Sequence, residues 1–273
     1  MLDAHCHFWS LDRGDYGWLA GEGGPLAPIR RDYLPADYPG AARVIAVQAA
    51  PTLAETDWLL AQAASDIRIA GVVGWVDLAD EGAADALCSR AKDPAFLGIR
   101  PMLQDIAATD WLLTAPRRDA LLALAALGLC FDALVAPHHL PVLAQFANAN
   151  PSVPIVIDHA AKPQDIADPQ WQTGMRMLSA DPRVFCKLSG LLTELPQSAL
   201  VDPMPGLRQT FDLLLEWFGP DRLIWGSDWP VLTLAADYDR WLALTQDLLQ
   251  PLPQATQDGI LGGNAARFYG VKA

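Results

Sequence analysis

The residues of this sequence that could carry out acid–base or metal chemistry begin at its front edge, in the stretch MLDAHCHFWS. His5 and His7 stand one residue apart, and the chain contains five histidines in all. Imidazole nitrogens act as hydrogen-bond donors, as general acids and bases, and as ligands of zinc. If this stretch is a β-strand, both rings point to one side and Cys6 points to the other. The pair alone is a weak signal, because two nearby histidines are more often ordinary buried or exposed residues.

Other polar residues with the same chemical potential follow apolar runs further along the chain. His159 closes the run VPIVID, Lys162 comes three residues later, and Asp228 and Trp229 follow RLIWGS. A carboxylate beside imidazoles can act as a general base or as a metal ligand. The active site of a parallel α/β barrel is built at the carboxyl ends of its strands. These side chains are therefore expected to meet the histidine pair at one edge of a sheet.

Further charged residues lie within or directly after apolar runs. Arg100 ends FLGIR, Asp132 lies in GLCFDALV, and Lys187 lies in VFCKLSGL. Lys187 is expected to point inward and to be paired with Asp3 or Asp132, since a buried charge needs a compensating partner. Asp158 is expected to face the helices, because successive side chains of a strand point to opposite sides.

The elements that must position these residues are eight short runs rich in Val, Ile and Leu, separated by segments with helical periodicity. The clearest helical segments are TLAETDWLLAQAAS, DEGAADALCSRAK, PRRDALLALAALG and HLPVLAQFANAN. Strands that alternate with helices predict a parallel sheet, and eight such units predict an α/β fold of the (β/α)₈ TIM-barrel type, formed by residues 1–273 as a single domain. An open doubly wound sheet is the alternative, but the glycine-rich turn typical of that fold is replaced here by HCHFW. The eight runs cover residues 1–5, 43–49, 69–77, 96–103, 128–135, 153–160, 184–191 and 222–230.

One long irregular stretch, at about 8–42, separates the first two runs. Loops of this length in compact domains are usually functional lids or disordered segments, and aromatic content favours an ordered one. We therefore predict a lid-like loop, with a plain plug of the barrel end as an equal alternative. The aromatic residues concerned are Trp9, Tyr16, Trp18, Tyr33 and Tyr38.

Composition excludes several classes of function. The net charge of −13 argues against nucleic-acid binding, which depends on Lys and Arg to neutralise phosphates. No uncharged apolar run is long enough to cross a membrane, and the start of the chain does not resemble a signal peptide, so a cytoplasmic protein is expected. The four cysteines form no CxxC pair, which argues against a disulfide framework or a structural zinc cluster. The sequence does not determine the oligomeric state.

Taken in order, six strings resemble the amidohydrolase superfamily and, within it, a lactonase branch. The resemblance runs from residue 2 to about 271 and implies hydrolysis of a sugar lactone, of the aldono or fucono type, to the sugar acid. Two departures stand out: Cys6 where members often carry Gln, and Pro101 where many carry His. The second departure leaves the identity of the sugar open. The strings are DAHCHFW, GIRPMLQD, VIDHAAKP, CKLSGLLTE, WGSDWPV and GNAARFYG.

Within this resemblance, Asp228 is expected to act as general base on a water molecule, while His5, His7 and His159 polarise the lactone carbonyl. No cofactor is strictly required, because members of the branch resemble metal-independent hydrolases. A single divalent metal such as Zn²⁺ could be held by the same four residues. A two-metal site is not expected, because the bridging group that metal-dependent relatives place on strand four is missing here. The candidate substrate-binding residues are Arg100, Lys162, Trp9, Trp229 and Asp132.

Two other functions remain open from the sequence. One is a zinc-dependent amidohydrolase or decarboxylase on the same fold. The other is a barrel that binds a sugar acid without catalysis, although such a protein would have no need of a general base. In each case the expected partner is a small molecule.

Overall fold

The structure, a computed structural model, describes residues 1–21 and 23–272, and in these residues eight parallel strands form one sheet in sequential order. Each strand overlaps the run predicted for it, so the TIM barrel is confirmed. The strands are β1 (Leu2–Cys6), β2 (Arg43–Val47), β3 (Ile69–Gly74), β4 (Phe96–Ile99), β5 (Cys130–Ala133), β6 (Ile155–Ile157), β7 (Val184–Leu188) and β8 (Leu223–Trp225).

α-Helices follow β2 to β8, and the four predicted helical segments are all helical. The first of them is capped by Thr52, whose hydroxyl accepts a hydrogen bond from the backbone N–H of Glu55 at 3.0 Å. The helices are α1 (Leu53–Ser65), α2 (Ala83–Arg90), α3 (Trp111–Thr114), α4 (Arg118–Ala126), α5 (Leu140–Ala149), α6 (Pro169–Ser179), α7 (Met204–Phe218), α8 (Tyr238–Leu249), α9 (Gln254–Asp258) and α10 (Asn264–Tyr269).

The barrel closes between β1 and the segment after β8. The backbone N–H of His7 donates to the carbonyl of Trp229, and the N–H of Asp228 donates to the carbonyl of His5, both at 2.7 Å. The buried carboxylate of Asp3 accepts from the backbone N–H of Ser227 at 2.8 Å and strengthens this seam. The chemistry-bearing ends of the first and last strands are thus fixed to each other by the backbone.

Apolar side chains fill both sides of the strands. One group packs between the barrel and its surrounding helices. A second group fills the barrel interior and is covered by α10. This interior group includes Leu2, Ala4, Ile45, Val47, Val73, Val156, Ile224 and Tyr269.

The described part of the stretch between β1 and β2 is ordered by its aromatic residues. The backbones of Trp9 and Tyr33 pair through two hydrogen bonds of 2.9 Å. Both rings are buried, as are those of Tyr16 and Tyr38. Short 3₁₀ turns connect these residues, at Leu11–Arg13, Gly17–Leu19, Ala27–Ile29 and Pro35–Asp37.

A membrane-crossing helix is absent from the part of the chain that the structure describes, since no helix there combines the necessary length with sufficient apolarity. The four cysteines are all free thiols, and three of them are buried.

Candidate active site

A cavity of about 340 Å³ opens where the strands end. Five of the side chains predicted from the sequence line it together, although they lie far apart in the chain: His7, Arg100, His159, Lys162 and Asp228. The remaining lining is largely apolar and is supplied by Trp18, Leu26, Ala49, Met102, Leu134 and Val231, with Gln104 and Asp105 as further polar groups. A mostly apolar pocket with a few converging polar groups is typical of a small-molecule site.

The floor of the cavity is a group that we name the upper site, formed by His5, His7, His159 and Asp228. Asp228 Oδ1 lies 3.3 Å from His7 Nε2 and 3.7 Å from His5 Nε2. The ring centroids of His5 and His159 lie 4.5 Å apart. All four residues are buried. The contacts between them confirm the prediction that His5 and His7 point to the same side and meet His159 and Asp228.

Hydrogen bonds behind two of the rings set their orientation. His7 Nδ1 lies 2.8 Å from the carbonyl of Val47, which can only accept, so Nδ1 carries a proton. A neutral His7 therefore turns an unprotonated Nε2 toward the carboxylate of Asp228. Two acceptors at this distance need a bridge: a proton, a water that donates to both, or a cation. His159 Nδ1 lies 2.9 Å from the Ser189 hydroxyl.

The backbone at two of these residues is in the left-handed region. His159 has φ 53° and Asp228 has φ 58°. Residues without a glycine's freedom adopt this conformation at a cost, and it is concentrated at functional sites. Gly190, at φ 61°, makes room for both, because a Cβ there would lie 2.5 Å from His159 Nδ1 and 3.2 Å from Asp228 Oδ2.

The charge state of the upper site follows from burial and from its neighbours. Burial opposes ionisation of Asp228, but His159, His7 and His5 outweigh it and hold the pKa of the carboxyl well below its ordinary value. Burial lowers the pKa of His159 to about 4. Burial, together with nearby Lys187, also holds the pKa of His5 well below its ordinary value. At neutral pH the site therefore contains a carboxylate beside a neutral His5 and a neutral His159.

A second group of buried ionisable residues lies against the upper site, and we name it the lower charge cluster: Asp132, Asp158, Lys187 and Tyr269. Lys187 Nζ lies 2.5 Å from Asp132 Oδ2 and 3.0 Å from Asp158 Oδ1. The Tyr269 hydroxyl donates to Asp132 Oδ2 at 2.7 Å. The expectation that Lys187 is paired inside the barrel is thus confirmed. Asp132, assigned to substrate binding from the sequence, lies fully buried with Oδ2 bound by Lys187 and Tyr269.

The prediction that Asp158 faces the helices is wrong. Its carboxylate is fully buried, with one oxygen 3.4 Å from His5 Nδ1 and the other 3.8 Å from Arg100 Nη1. The physical reason is that β6 ends at Ile157, after which the chain makes a turn with left-handed residues. Asp158 follows Val156 onto the interior side, and the left-handed backbone of His159, at φ 53°, brings that ring to the cavity as well, so the two side chains do not point to opposite sides.

The two carboxyl groups of the lower charge cluster differ in pKa. Burial raises the pKa of Asp132 to about 6, even though Lys187 opposes this. Burial acts on Asp158 in the same direction, but Lys187 and then His5 outweigh it and hold the pKa of Asp158 well below its ordinary value. Burial lowers the pKa of Lys187, yet the two carboxylates more than offset that effect and raise it. The cluster therefore holds its lysine as a cation.

Two cations reach the cavity from different depths. Arg100 is almost fully buried and donates through Nη2 to the carbonyl of Gln48, while Nη1 lies 3.5 Å from His5 Nε2. Lys162 lies nearer the mouth, where its Nζ is 3.8 Å from Glu194 Oε1. Arg100 thus adjoins the upper site, and Lys162 adjoins the entrance.

The two predicted tryptophans support the cavity wall from behind. The Trp9 ring packs edge-on against Trp18 with centroids 5.4 Å apart, and Trp18 is the ring that lines the cavity. Trp229 packs against Tyr33 and Tyr38 at centroid distances of 5.2 and 5.8 Å. Both predicted rings are buried in this aromatic group.

Trp18 is held in place by the turn after β2. Its indole N–H donates to the carbonyl of Ala49 at 2.7 Å. The buried carboxylate of Glu55 accepts from the N–H groups of Ala49 and Ala50 at 2.9 and 2.8 Å. Burial raises the pKa of Glu55 to about 8. Glu55, in the first turn of α1, therefore helps to fix the ring that covers one wall of the cavity.

Sequence reasoning missed several of the lining residues. Trp18 was one aromatic among many in a long stretch, and no local pattern distinguished it. Gln104 and Asp105 follow β4 in the string GIRPMLQD, so their position after a strand end was an available signal.

The upper site was tested for its fit to a divalent metal. The ligand atoms of His5, His7 and Asp228 lie within 4.8 Å of one another, and those of His5, Asp158 and His159 do so as well. Imidazole nitrogen and carboxylate oxygen are the donors that zinc prefers. The Nδ1–H of His7 donates to a carbonyl, which is the usual arrangement behind a metal-binding histidine. In donor type and proximity the residues fit a single zinc ion.

Comparison with known proteins identifies a family and several relatives that this chain resembles. Residues 2–271 match the family model described as amidohydrolase. The chain is 43% identical to a Burkholderia ambifaria protein named L-fucono-1,5-lactonase, over 99% of this chain and 95% of that protein. It is 36% identical to a Burkholderia multivorans protein of the same name, over 99% and 96%. A solved structure of a Burkholderia multivorans amidohydrolase with bound Zn superposes with a TM-score of 0.88 at 35% identity, over 99% of each chain.

Proposed function

The chain belongs to the amidohydrolase family, and from this premise we propose that it is a lactonase that opens a sugar lactone to the sugar acid. The observation that carries the proposal is the meeting of Asp228 with three imidazoles at the floor of a cavity large enough for a monosaccharide lactone. The naming of two full-length relatives as L-fucono-1,5-lactonase supports a lactone of the fucono type.

In the proposed mechanism, Asp228 removes a proton from a water molecule as the water oxygen bonds to the lactone carbonyl carbon. His7, whose Nε2 faces Asp228 at 3.3 Å, accepts the second hydrogen bond of that water and orients it. The carbonyl oxygen becomes an oxyanion that accepts hydrogen bonds from His5 and His159. The sequence assigned all three histidines to the carbonyl, whereas the His7–Val47 hydrogen bond favours a place for His7 beside the water.

The second step opens the ring. The tetrahedral intermediate re-forms its carbonyl as the bond from that carbon to the ring oxygen breaks. The ring oxygen takes the proton held by Asp228 and becomes a hydroxyl, which restores the carboxylate. The new carboxylic acid then releases its proton to solvent and leaves as an anion.

The expected contributions have familiar sizes. A positioned general base contributes about 10²–10⁴ in rate. Removing one donor to an oxyanion costs about 10²–10³. Arg100, at the depth of the upper site, would add charge stabilisation to the oxyanion, and Lys162 would contact hydroxyl oxygens of the substrate or the product carboxylate near the entrance.

The experiment that tests this function is acid release from a panel of aldono-lactones in weak buffer, with L-fucono-1,5-lactone included. The panel is run with and without a strong chelator, and the Asp228→Asn variant is the control for spontaneous hydrolysis. Fast turnover of at least one sugar lactone by the untreated enzyme, and its loss in the variant, is the expected result. Failure to hydrolyse any lactone in either condition would contradict the proposal.

A second candidate uses the same residues around a metal and is favoured by the donor set and by the zinc in the related structure. His5, His7, His159 and Asp228 would hold a single zinc ion. The chemistry that such an ion supplies when bound is acidification of water and polarisation of a carbonyl. Asp228 and His159 would still bind and orient water and substrate. Loss of turnover with the chelator and recovery with Zn²⁺ would favour this version.

A further inference from the structure

The contact between the lower charge cluster and the upper site passes through one pair of atoms. Lys187 Nζ lies 3.0 Å from His5 Nδ1, and both side chains are fully buried. We propose that Lys187 is a positioning residue that holds His5 in the tautomer with its proton on Nε2. The proposal deepens the proposed function, because it explains how His5 comes to present a donor to the substrate carbonyl.

The chemistry of the lysine fixes the direction of the hydrogen bond between Lys187 and His5. An ammonium group has three hydrogens to donate and cannot accept. His5 Nδ1 must therefore be the acceptor in this contact, and a neutral imidazole that accepts at Nδ1 carries its proton on Nε2. That nitrogen is the one on the side of Asp228 and Arg100, both of which line the cavity.

Two other contacts of the His5 ring compete with the contact to Lys187. Asp158 Oδ1 lies 3.4 Å from His5 Nδ1, and Arg100 Nη1 lies 3.5 Å from His5 Nε2, and each alone would favour the opposite tautomer. The lysine contact is the shortest. With a proton on Nδ1, two N–H groups would face each other at 3.0 Å, which is far more unfavourable than a donor at 3.5 Å. Arg100 also has the carbonyl of Gln48 as another acceptor.

The two carboxylates beside Lys187 keep its side chain charged. Two carboxylates, Asp132 and Asp158, contact Lys187 at 2.5 and 3.0 Å, and the aromatic ring of Tyr269 lies 5.6 Å away. Buried carboxylates require a compensating cation, and Lys187 supplies it. The ammonium form, on which the tautomer depends, is therefore built into the cluster.

The tautomer has a consequence for metal binding. To ligate a cation through Nε2, His5 would need its proton on Nδ1, against the ammonium of Lys187. In the wild-type protein, His5 should therefore be a weak ligand of zinc. Removal of the lysine charge would let Nδ1–H donate to Asp158, which is the carboxylate–histidine arrangement that strengthens metal ligands.

The direct test is ¹⁵N NMR of wild-type protein with labelled histidine, at neutral pH and without metal. The resonances of His5 are assigned by their loss in His5→Gln. We expect a protonated Nε2 and an unprotonated Nδ1. A protonated Nδ1 would overturn the proposal whether or not the protein hydrolyses lactones, and the lactone panel tests the function separately.

Variants extend the test. Lys187→Met leaves two buried carboxylates without a cation and could unfold, so the double variant Lys187→Met/Asp132→Asn keeps Asp158 as the single carboxylate. We expect its His5 proton to move to Nδ1, kcat to fall about 10²-fold through loss of one oxyanion donor with KM changed only a few-fold, and zinc affinity to rise about tenfold. Lys92→Met, at an exposed lysine, is the matched control.

Each outcome of these measurements either supports or overturns the proposal. A folded double variant whose His5 keeps its proton on Nε2 would overturn the proposal, since another group would then set the tautomer. The same holds for a double variant whose zinc affinity, measured by titration against a fluorescent chelator, equals that of the wild type. A shift of the proton with the expected gain in zinc affinity supports it.

Discussion

The upper site and the lower charge cluster differ in how closely their members contact one another. In the lower cluster, Lys187 meets its two carboxylates at 2.5 and 3.0 Å. In the upper site, Asp228 stands 3.3 and 3.7 Å from the nitrogens of His7 and His5. Contacts of the first kind satisfy charges, whereas contacts of the second kind leave donors and acceptors available. The comparison assigns support to the lower cluster and chemistry to the upper site.

Backbone conformation also differs between members of the two groups. Asp132 and Lys187 lie within regular strands, while His159 and Asp228 have positive φ angles just beyond strand ends. Regular strands fix the supporting charges at low conformational cost. The turns aim the reactive groups into the cavity, at a cost of order 1–3 kcal/mol each.

The strongest way to break this comparison is to remove the general base. Asp228→Asn should lower kcat by about 10²–10⁴, because the amide cannot take a proton from water. Initial rates of acid release with the fastest lactone of the panel measure the effect, and circular dichroism checks the fold. Asp239→Asn, on the exposed face of α8, should retain the wild-type rate. A substantial residual kcat in Asp228→Asn would remove Asp228 from its role.

The next largest effect is expected at a carbonyl-polarising histidine. His159→Gln should lower kcat by about 10²–10³, because a displaced or missing donor no longer stabilises the oxyanion. Steady-state kinetics should show the loss mainly in kcat rather than in KM. A change confined to KM would mean that His159 binds the ground state and the transition state equally.

The lower cluster should respond in stability instead of rate. Asp158→Asn removes a carboxylate that Lys187 stabilises, and should lower the free energy of unfolding by about 2–4 kcal/mol, with kcat within about tenfold of wild type. Denaturant unfolding measures the first quantity. Because the folded pKa of Asp158 lies below its ordinary value of 3.8, the defect should be full above that pH and shrink as pH falls below it.

A surface pair provides the control for that experiment. Asp119, which contacts Arg117 at 3.2 Å, is exposed. Asp119→Asn should leave the unfolding transition in place, since exposed ion pairs contribute little. An Asp158→Asn variant as stable as this control, or one as inactive as Asp228→Asn, would contradict the division between the two groups.

A smaller effect is expected at the entrance. Lys162→Met should raise KM about threefold to tenfold and leave kcat within about threefold, because Lys162 contacts substrate away from the reacting carbonyl. Product inhibition by the sugar acid should weaken in parallel. An unchanged KM with lower kcat would place Lys162 nearer the reacting atoms.

The smallest expected change is with pH. The pKa of His159 is about 4 and that of Asp228 is lower still, so Asp228 stays a carboxylate and His159 stays neutral from about pH 5 to 8. The value of kcat/KM should be nearly flat across this window after correction for spontaneous hydrolysis. An acidic limb with an apparent pKa near 6 would assign the base to another group.

Much of the architecture could be predicted from sequence, because eight apolar runs recur along the chain with segments of helical periodicity between them. The meeting of His5, His7, His159 and Asp228 followed from the rule that barrel strands present their carboxyl ends at one edge. That Asp158 and His159 both contact His5 could not be predicted, because the left-handed backbone at His159 breaks the alternation of side chains after β6. Trp18 also escaped prediction, because its place depends on a hydrogen bond to Ala49, thirty-one positions away.

The most direct test of the division between the upper site and the lower charge cluster is a ratio of two kcat values. They are the values for Asp158→Asn and for Asp228→Asn, measured on the same sugar lactone with both proteins folded. These residues are both buried aspartates next to His5, so burial alone does not distinguish them. We expect Asp158→Asn to be faster by at least about tenfold. Equal rates, or a slower Asp158→Asn, would contradict the assignment of chemistry to the upper site and support to the lower charge cluster.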